Sequence, residues 1–298
     1  MATNSLAGVN LTKISQVSLD VLKTEGIPLS AFTTDFSADA MPKGETVTTR
    51  FATMPSTQDF DSSKATGNSA TTARSVTLNN YRGVSIGFKD TELTFTPVQL
   101  ADLFVRPAIS ALVDYVINSV LGRVTNANGF TSIATLTAGA FDADAVADLA
   151  EGLSTAKVPK SPRTLLIKPT YLASLAKDNA ITAASDGPAG TDPLREHRLP
   201  RLHGFNVLEY AGTIPSNSEN LVGLACGKQS LIIAARGVVE PPAGTWFGNI
   251  ENIVDPGSGL PIQIREYYDG TELRYEFSTL FGHAVGIAAY ATRIRSAA

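Results

Sequence analysis

Residues Lys43 to Asp90 hold two long strand-like runs with too little apolar material to fold against each other. The first, Thr46 to Met54, reads Thr-Val-Thr-Thr-Arg-Phe-Ala-Thr-Met, and the second, Arg74 to Lys89, carries Val76, Leu78, Tyr81, Val84, Ile86 and Phe88. β-Branched and aromatic residues in such runs favour strand. Between them Pro55 to Thr72 is rich in Ser, Thr, Asp and Gly, the composition of a hairpin tip. An isolated two-stranded ribbon is marginal in water, so its shelter has to come from outside the segment. An arm of this kind, placed before a long helix, fits a subunit that lays it across another copy of itself.

At 298 residues and 43% hydrophobic content the chain can bury a substantial core and form two lobes. Only 17% of residues are charged, against roughly a quarter in ordinary soluble domains. Small polar residues take the vacant positions, which suits a surface used in contacts. A formal net charge of −4 argues against a grip on nucleic acid, which needs a basic stripe to displace counterions from phosphate. Cys226 is the single cysteine, so no intrachain disulfide and no thiolate metal cluster can form. The N-terminal residues show no basic and apolar signal pattern, and no apolar run approaches the ~18 residues that span a bilayer. A cytosolic chain without a membrane is the expectation.

Along the chain, Asn10 is placed to cap a helix through Leu11, Ile14, Val17, Val21 and Leu22, ending at Gly26 and Pro28. Pro28 to Pro42 is aperiodic, anchored by Phe32 and Phe36, and reads as an extended segment docked on another element. Thr96-Pro97-Val98-Gln99 opens a long helix to Asn126, about 45 Å in length, with a kink or break at Pro107. Asp142 caps a second helix, with Phe141 stapled onto Val146. A strand at Thr164 to Ile167, a short helix from Pro169, a loop over Asp178 to Pro200, strands at Gly204 to Leu208 and Leu221 to Ala225, and a short apolar helix at Ser230 to Ala235 make an α+β lobe. Strands return at Ile262 to Tyr268 and Leu273 to Phe281 around Asp269-Gly270, with a last apolar run from Tyr290 to Ile294. These late strands need the ribbon base and the long helix as partners, so the lobe holding that helix is expected to draw on both ends of the chain.

No set of residues announces catalysis. Gly223 to Ser230 lacks one spacer residue of a phosphate loop and has Gln229 where a magnesium-binding hydroxyl belongs; Gly257-Ser258-Gly259 lacks the third glycine of a dinucleotide loop; no nucleophile elbow occurs. His197 and His203 with Glu196 are surrounded by Arg195, Arg198 and Arg201, which repel a cation. That arginine cluster reads as a solvated or interface loop, or as a site for an anionic patch. His283 in an apolar strand and Cys226 beside Leu224 and Ala225 read as structural residues.

The order of elements resembles the major capsid protein of tailed double-stranded DNA phages, the Hong Kong 97-type fold. Gly44-Glu45-Thr46-Val47 resembles the opening of that family's extended loop, and Val76-Thr77-Leu78 through Val84-Ser85-Ile86-Gly87-Phe88 to Leu93 its return strand. The helix from Pro97 to Asn126 resembles the spine helix, Leu202-His203-Gly204-Phe205-Asn206-Val207 with Thr213-Ile214-Pro215 the axial-domain turn, and Gly282 onward the closing strand. The resemblance implies an α+β subunit with an N-terminal arm over 1–42, an extended β-hairpin loop over 43–90, a peripheral domain over 91–135 and 255–298, and an axial domain over 136–254.

It further implies pentamers and hexamers of an icosahedral shell around phage DNA, bound without sequence preference, with a separate scaffolding protein and a portal as partners, no cofactor and no enzymatic activity. Assembly in the host cytoplasm and residence in the virion follow. Contacts between subunits are expected from Arg50, Phe51, Met54, Phe60, Lys64 and Arg74 of the ribbon and from Arg195, Arg198 and Arg201. Some members of the family crosslink a loop lysine to a neighbour's asparagine; Lys64 lies near the loop tip, but its partner is not identified by the sequence. A nanocompartment shell of the same fold, a tail-tube protein and an α+β enzyme are the alternatives.

Overall fold

The structure is a computed structural model and describes residues 7–52, 71–89, 101–178, 181, 201–212, 220–240, 248–255 and 258–297. Its centre is the 14-residue strand β13, Glu272–Val285. One edge of β13 is taken by β4, Asn80–Lys89, the return strand of the ribbon. The other edge is shared by β12, Pro261–Tyr268, beside its first half and β10, Leu231–Val238, beside its second. Beyond these lie β11, Gly248–Val254, and β1, Thr33–Met41, which runs parallel to β10. The late strands thus find the ribbon base as partner, as the sequence requires of them.

Alternation along β13 gives the sheet two working faces. Tyr275, Phe277 and Phe281 join the large core with α1, Ala7–Glu25, and α2, Arg106–Leu121, whereas Leu280 faces the ribbon. A π-helical turn at Ala101–Val105 precedes α2. Pro107 falls in the first turn of α2, directly after the π-helical turn, so the helical run changes character there, where the sequence places a kink or break. The helix ends at Leu121 and not at Asn126: Gly122 caps it, and Asn126–Asn128 form a separate 3-10 turn. The opening at Thr96 to Gln99 lies outside the described residues.

The remaining strands form a second sheet in the order β5, Ile133–Leu136; β14, Ala291–Ser296; β9, Leu221–Gly227; β6, Arg163–Ile167; β8, Phe205–Glu209; and β7, Arg201–Leu202. Leu166, Leu224 and Cys226 turn toward the α1 and α2 core. Leu165, Ile167 and Ala225 turn the other way, toward α3, Ala143–Thr155, and α4, Pro169–Ala176. The Asp142 side chain accepts from the N–H of Ala145, the cap read from the sequence. His203 (φ 46°) and Gly204 (φ 85°) make the two-residue turn between β7 and β8, both in the left-handed region that such a hairpin demands.

Three sequence expectations are corrected. Helix α1 begins at Ala7, which puts Asn10 inside it and not at its cap. Ser230 to Ala235 is not a helix; after a 3-10 turn the run enters β10, which is buried on both faces and so shows no alternation to betray it. The segment after Phe32, read as extended and docked on another element, is β1, which pairs with β10 with a bulge between Ser37 and Ala40; buried Arg236 donates to the Asp35 carbonyl and pairs with its carboxylate at 2.7 Å, clamping the two strands. Residues Leu103–Leu121 are long and apolar enough to cross a bilayer by length and composition alone, yet one side of this helix is packed in the core.

The ribbon reaches its own sheet at one tight point. A Cβ placed on Gly282 would lie 2.2 Å from the Thr77 carbonyl oxygen, a backbone atom that cannot swing aside. Gly282→Ala should therefore cost ~1–3 kcal/mol in urea denaturation by overpacking. Gly152→Ala, in open space within α3, should be neutral or stabilising by up to ~1 kcal/mol.

Candidate functional site: the ribbon and its seat

Strands β2, Thr46–Ala52, and β3, Thr71–Thr77, pair antiparallel with Thr46 opposite Thr77 and Ala52 opposite Thr71. The base is tied by two backbone bonds, Gly44 N–H to the Leu78 carbonyl and Leu78 N–H to the Glu45 carbonyl. Gly44 holds φ 97°, which the turn into the ribbon uses. Val47, Phe51, Val76 and Leu78 pack on Ile232, Ala234 and Leu280, forming a small core separate from the other two. The ribbon base is therefore seated on its own chain.

This placement sorts the predicted contact residues. Phe51, 9% exposed on the inward face of β2, packs in the small core of its own sheet. Arg50 points to the exposed side. Arg74 stands on the inward face, exposed, above a groove shared with Phe51, Thr72, Asn128 and Val285 to Tyr290. Arg201 in β7 bonds Asn206 across the hairpin at 3.1 Å. Met54, Phe60, Lys64, Arg195 and Arg198 lie outside the described residues.

On the opposite face of β13, His283 meets α2. Its Nδ1 accepts from Arg123 Nε at 3.2 Å, and its Nε2 lies 2.8 Å from Ser119 Oγ, so the neutral ring with the proton on Nε2 satisfies both contacts. Burial, reinforced by the Arg123 charge, pulls its pKa down to about 4. The consecutive residues Gly282 and His283 thus fasten the ribbon to one face and the helix to the other. The sequence flagged His283 as structural; its two polar partners, 160 and 164 residues away, gave no local signal.

Two described groups that could do chemistry, Cys226 and Tyr210, are committed to the core and to a neighbouring side chain. Cys226 is fully buried and its thiol is pushed up to about 12 by burial, which leaves it inert as a nucleophile. Tyr210 donates to Asp114 on α2, and burial with the adjacent carboxylate holds its phenol above the ordinary range. Tyr210 and Asp114 line a cleft of about 1,080 Å³ between β8 of the second sheet and the ends of α1 and α2 that face it. Among the described residues no group of three or more His, Cys, Asp or Glu is placed to hold a metal ion.

No family model matches the chain, and no curated protein matches it. Solved structures do. The capsid of the cyanophage P-SCSP1u aligns over 90% of this chain and 87% of its own, at 13% identity and a TM-score of 0.57. The capsid of Ralstonia phage GP4 aligns over 89% and 87%, at 11% identity and a TM-score of 0.56. A virus-like particle from Pyrococcus furiosus aligns over 95% and 98%, at 13% identity and a TM-score of 0.54. The chain has the fold of these capsid subunits, the Hong Kong 97-type α+β fold.

The His283 site carries a signed pH dependence. An unfolded histidine titrates near 6.5 and the folded one at about 4, so between these values the unfolded chain binds more protons. Stability is intact above pH 6.5, falls as the pH drops toward 4, and loses no more from this group below that. His283→Gln, whose amide can donate to Ser119 and accept from Arg123, should flatten this part of the curve of urea midpoint against pH.

Proposed function

We propose that the chain is a major capsid protein whose copies form the pentamers and hexamers of an icosahedral shell around phage double-stranded DNA. The observation that carries this is the β2–β3 ribbon, seated by Val47, Phe51, Val76 and Leu78 on its own sheet, on a fold shared with two phage capsids over nearly the full chain. Each subunit offers an arm that a neighbour can shelter, and many weak repeated contacts sum through multivalency. In this reading α1, α2 and the first sheet form the peripheral domain, and the second sheet with α3 and α4 forms the axial domain. Strand β10 then belongs with the peripheral sheet and β14 with the axial one, which shifts the boundaries drawn from sequence. Scaffolding protein and portal are separate chains, packaged DNA is enclosed without sequence-specific contact, and assembly takes place in the host cytoplasm before residence in the virion. No catalysis is assigned.

The likeness to the Pyrococcus furiosus virus-like particle, over 98% of that chain, favours a second reading as a shell that encloses something other than a phage genome. Electron microscopy of particles together with analysis of their contents separates the two: packaged phage DNA supports the capsid, captured protein cargo supports the compartment, and a chain that remains monomeric at high concentration contradicts both. Removal of Pro55 to Ala70, which spares β2 and β3, should leave a folded subunit with near-normal stability and no closed shells. Normal particles from that variant would contradict a role for the arm in assembly.

A further inference from the structure

The cleft beside Tyr210 carries more negative charge than its own residues neutralise. Ser110, Val113, Asp114 and Ile117 follow one another at helical spacing, so one face of α2 lines it, across from β6 and β8 and beside the 3-10 turn Ile27–Ala31 that follows α1. Ser110 donates to the Glu25 carboxylate at 2.5 Å, and Tyr210 donates to the Asp114 carboxylate. Since Ser110 and Asp114 stand one turn apart, the two carboxylates are held in a row along the helix, each by a hydroxyl. Neither forms an ion pair among the described residues, and a hydroxyl stabilises a carboxylate's charge without cancelling it. Glu209 at the rim adds a third carboxylate, against Lys228 as the one cation among the described lining residues.

The far wall shows a second unmet need. Thr164 on β6 is only 6% exposed, stands on the same face of its strand as Leu166 and lines the cleft, yet its hydroxyl makes no hydrogen bond among the described residues. Buried hydroxyls are rarely left so, because the unmade bond costs the desolvation of the group. Between these polar points the lining is apolar, with Pro28, Val113, Ile117, Leu172 and Leu208. A cleft of this size, with apolar walls and a few convergent polar groups, has the ordinary form of a small-molecule site.

We propose that this cleft binds a linear aliphatic diamine or a longer polyamine. One ammonium pairs with Glu25 and the next with Asp114, the methylenes lie against Val113, Ile117 and Leu208, and in the longer members a further amine donates to Thr164. Such a molecule is ammonium at neutral pH and sets its charges at intervals along an apolar chain, which is the pattern of the lining. A hard metal ion matches it worse: it takes six to eight oxygens, and among the described residues no three acidic or metal-ligating side chains stand close enough together to hold one. A neutral apolar ligand would strip water from both carboxylates and from Thr164 and give nothing back. The site lies within a single subunit, so the proposal stands apart from the shell reading.

Isothermal titration calorimetry of the full chain with the diamine putrescine and the triamine spermidine tests this. Both should bind saturably, spermidine the tighter. Butylamine, which lacks the second ammonium, should bind about tenfold more weakly than putrescine, a comparison made on the unaltered chain and free of any folding defect. Glu25→Gln and Asp114→Asn each keep an oxygen that accepts from the same hydroxyl, so each should weaken putrescine binding about tenfold while the urea midpoint stays close to that of the unaltered chain. Thr164→Val should weaken spermidine and leave putrescine unchanged. Absence of saturable binding by either amine, equal affinity for butylamine and putrescine, undiminished putrescine binding in both carboxamide variants, or a Thr164→Val chain that binds spermidine as before would overturn the assignment.

Discussion

The backbone of Thr77 lies against Gly282, and the placing of the arm depends on that approach. Any side chain at 282 would meet the Thr77 carbonyl, so the ribbon can descend onto the sheet only where β13 presents no Cβ. Around this point Val47, Val76 and Leu78 close over Ile232, Ala234 and Leu280. At roughly 25 cal/mol per Å² of buried apolar surface such a patch can hold the base of a ribbon. It is not large enough to hold a longer arm, and the described ribbon beyond Phe51 has little further apolar surface to offer. Thr46, Thr48 and Arg50 face outward on β2, as do Ser75 and Ala73 on β3. The ribbon is thus fixed in direction at its root.

The same strand fixes the helix on its reverse face. Phe281 packs edge-on with Tyr115 at 6.3 Å, and the neutral His283 ring bonds Ser119 and accepts from Arg123. Ribbon, strand and helix are therefore one mechanical unit in which a shift of the ribbon root bears on α2 through adjacent residues. The second sheet is attached through the shared core and through the Tyr210 bond to Asp114. A low content of charged residues is consistent with this plan, because desolvating a flat, small polar or apolar contact costs less than desolvating ions.

Legibility in the sequence followed the range of the interactions. The ribbon, the Asp142 cap, the His203-Gly204 turn and the β12 to β13 hairpin are local devices whose residues sit within a few positions of one another, and each was readable. Strand β10 was not: Leu231 to Ala235 is apolar on both faces, and helix and buried strand look alike without alternation. The strand character of β1 was hidden because its partner is some 200 residues away and its clamp, Arg236 to Asp35, is a tertiary contact. Pro107 was seen as an interruption, but whether a proline breaks or begins a helix depends on the turn before it.

Hydrogen–deuterium exchange on dispersed subunits and on assembled particles measures directly whether the arm is anchored at its root and incomplete beyond it. Amides of Val47, Val76 and Leu78 should be protected in both states, whereas those of Ala52 and Thr71, at the far end of the paired strands, should gain protection only on assembly. Uniform, strong protection along β2 and β3 in the dispersed subunit, unchanged in particles, would contradict the account.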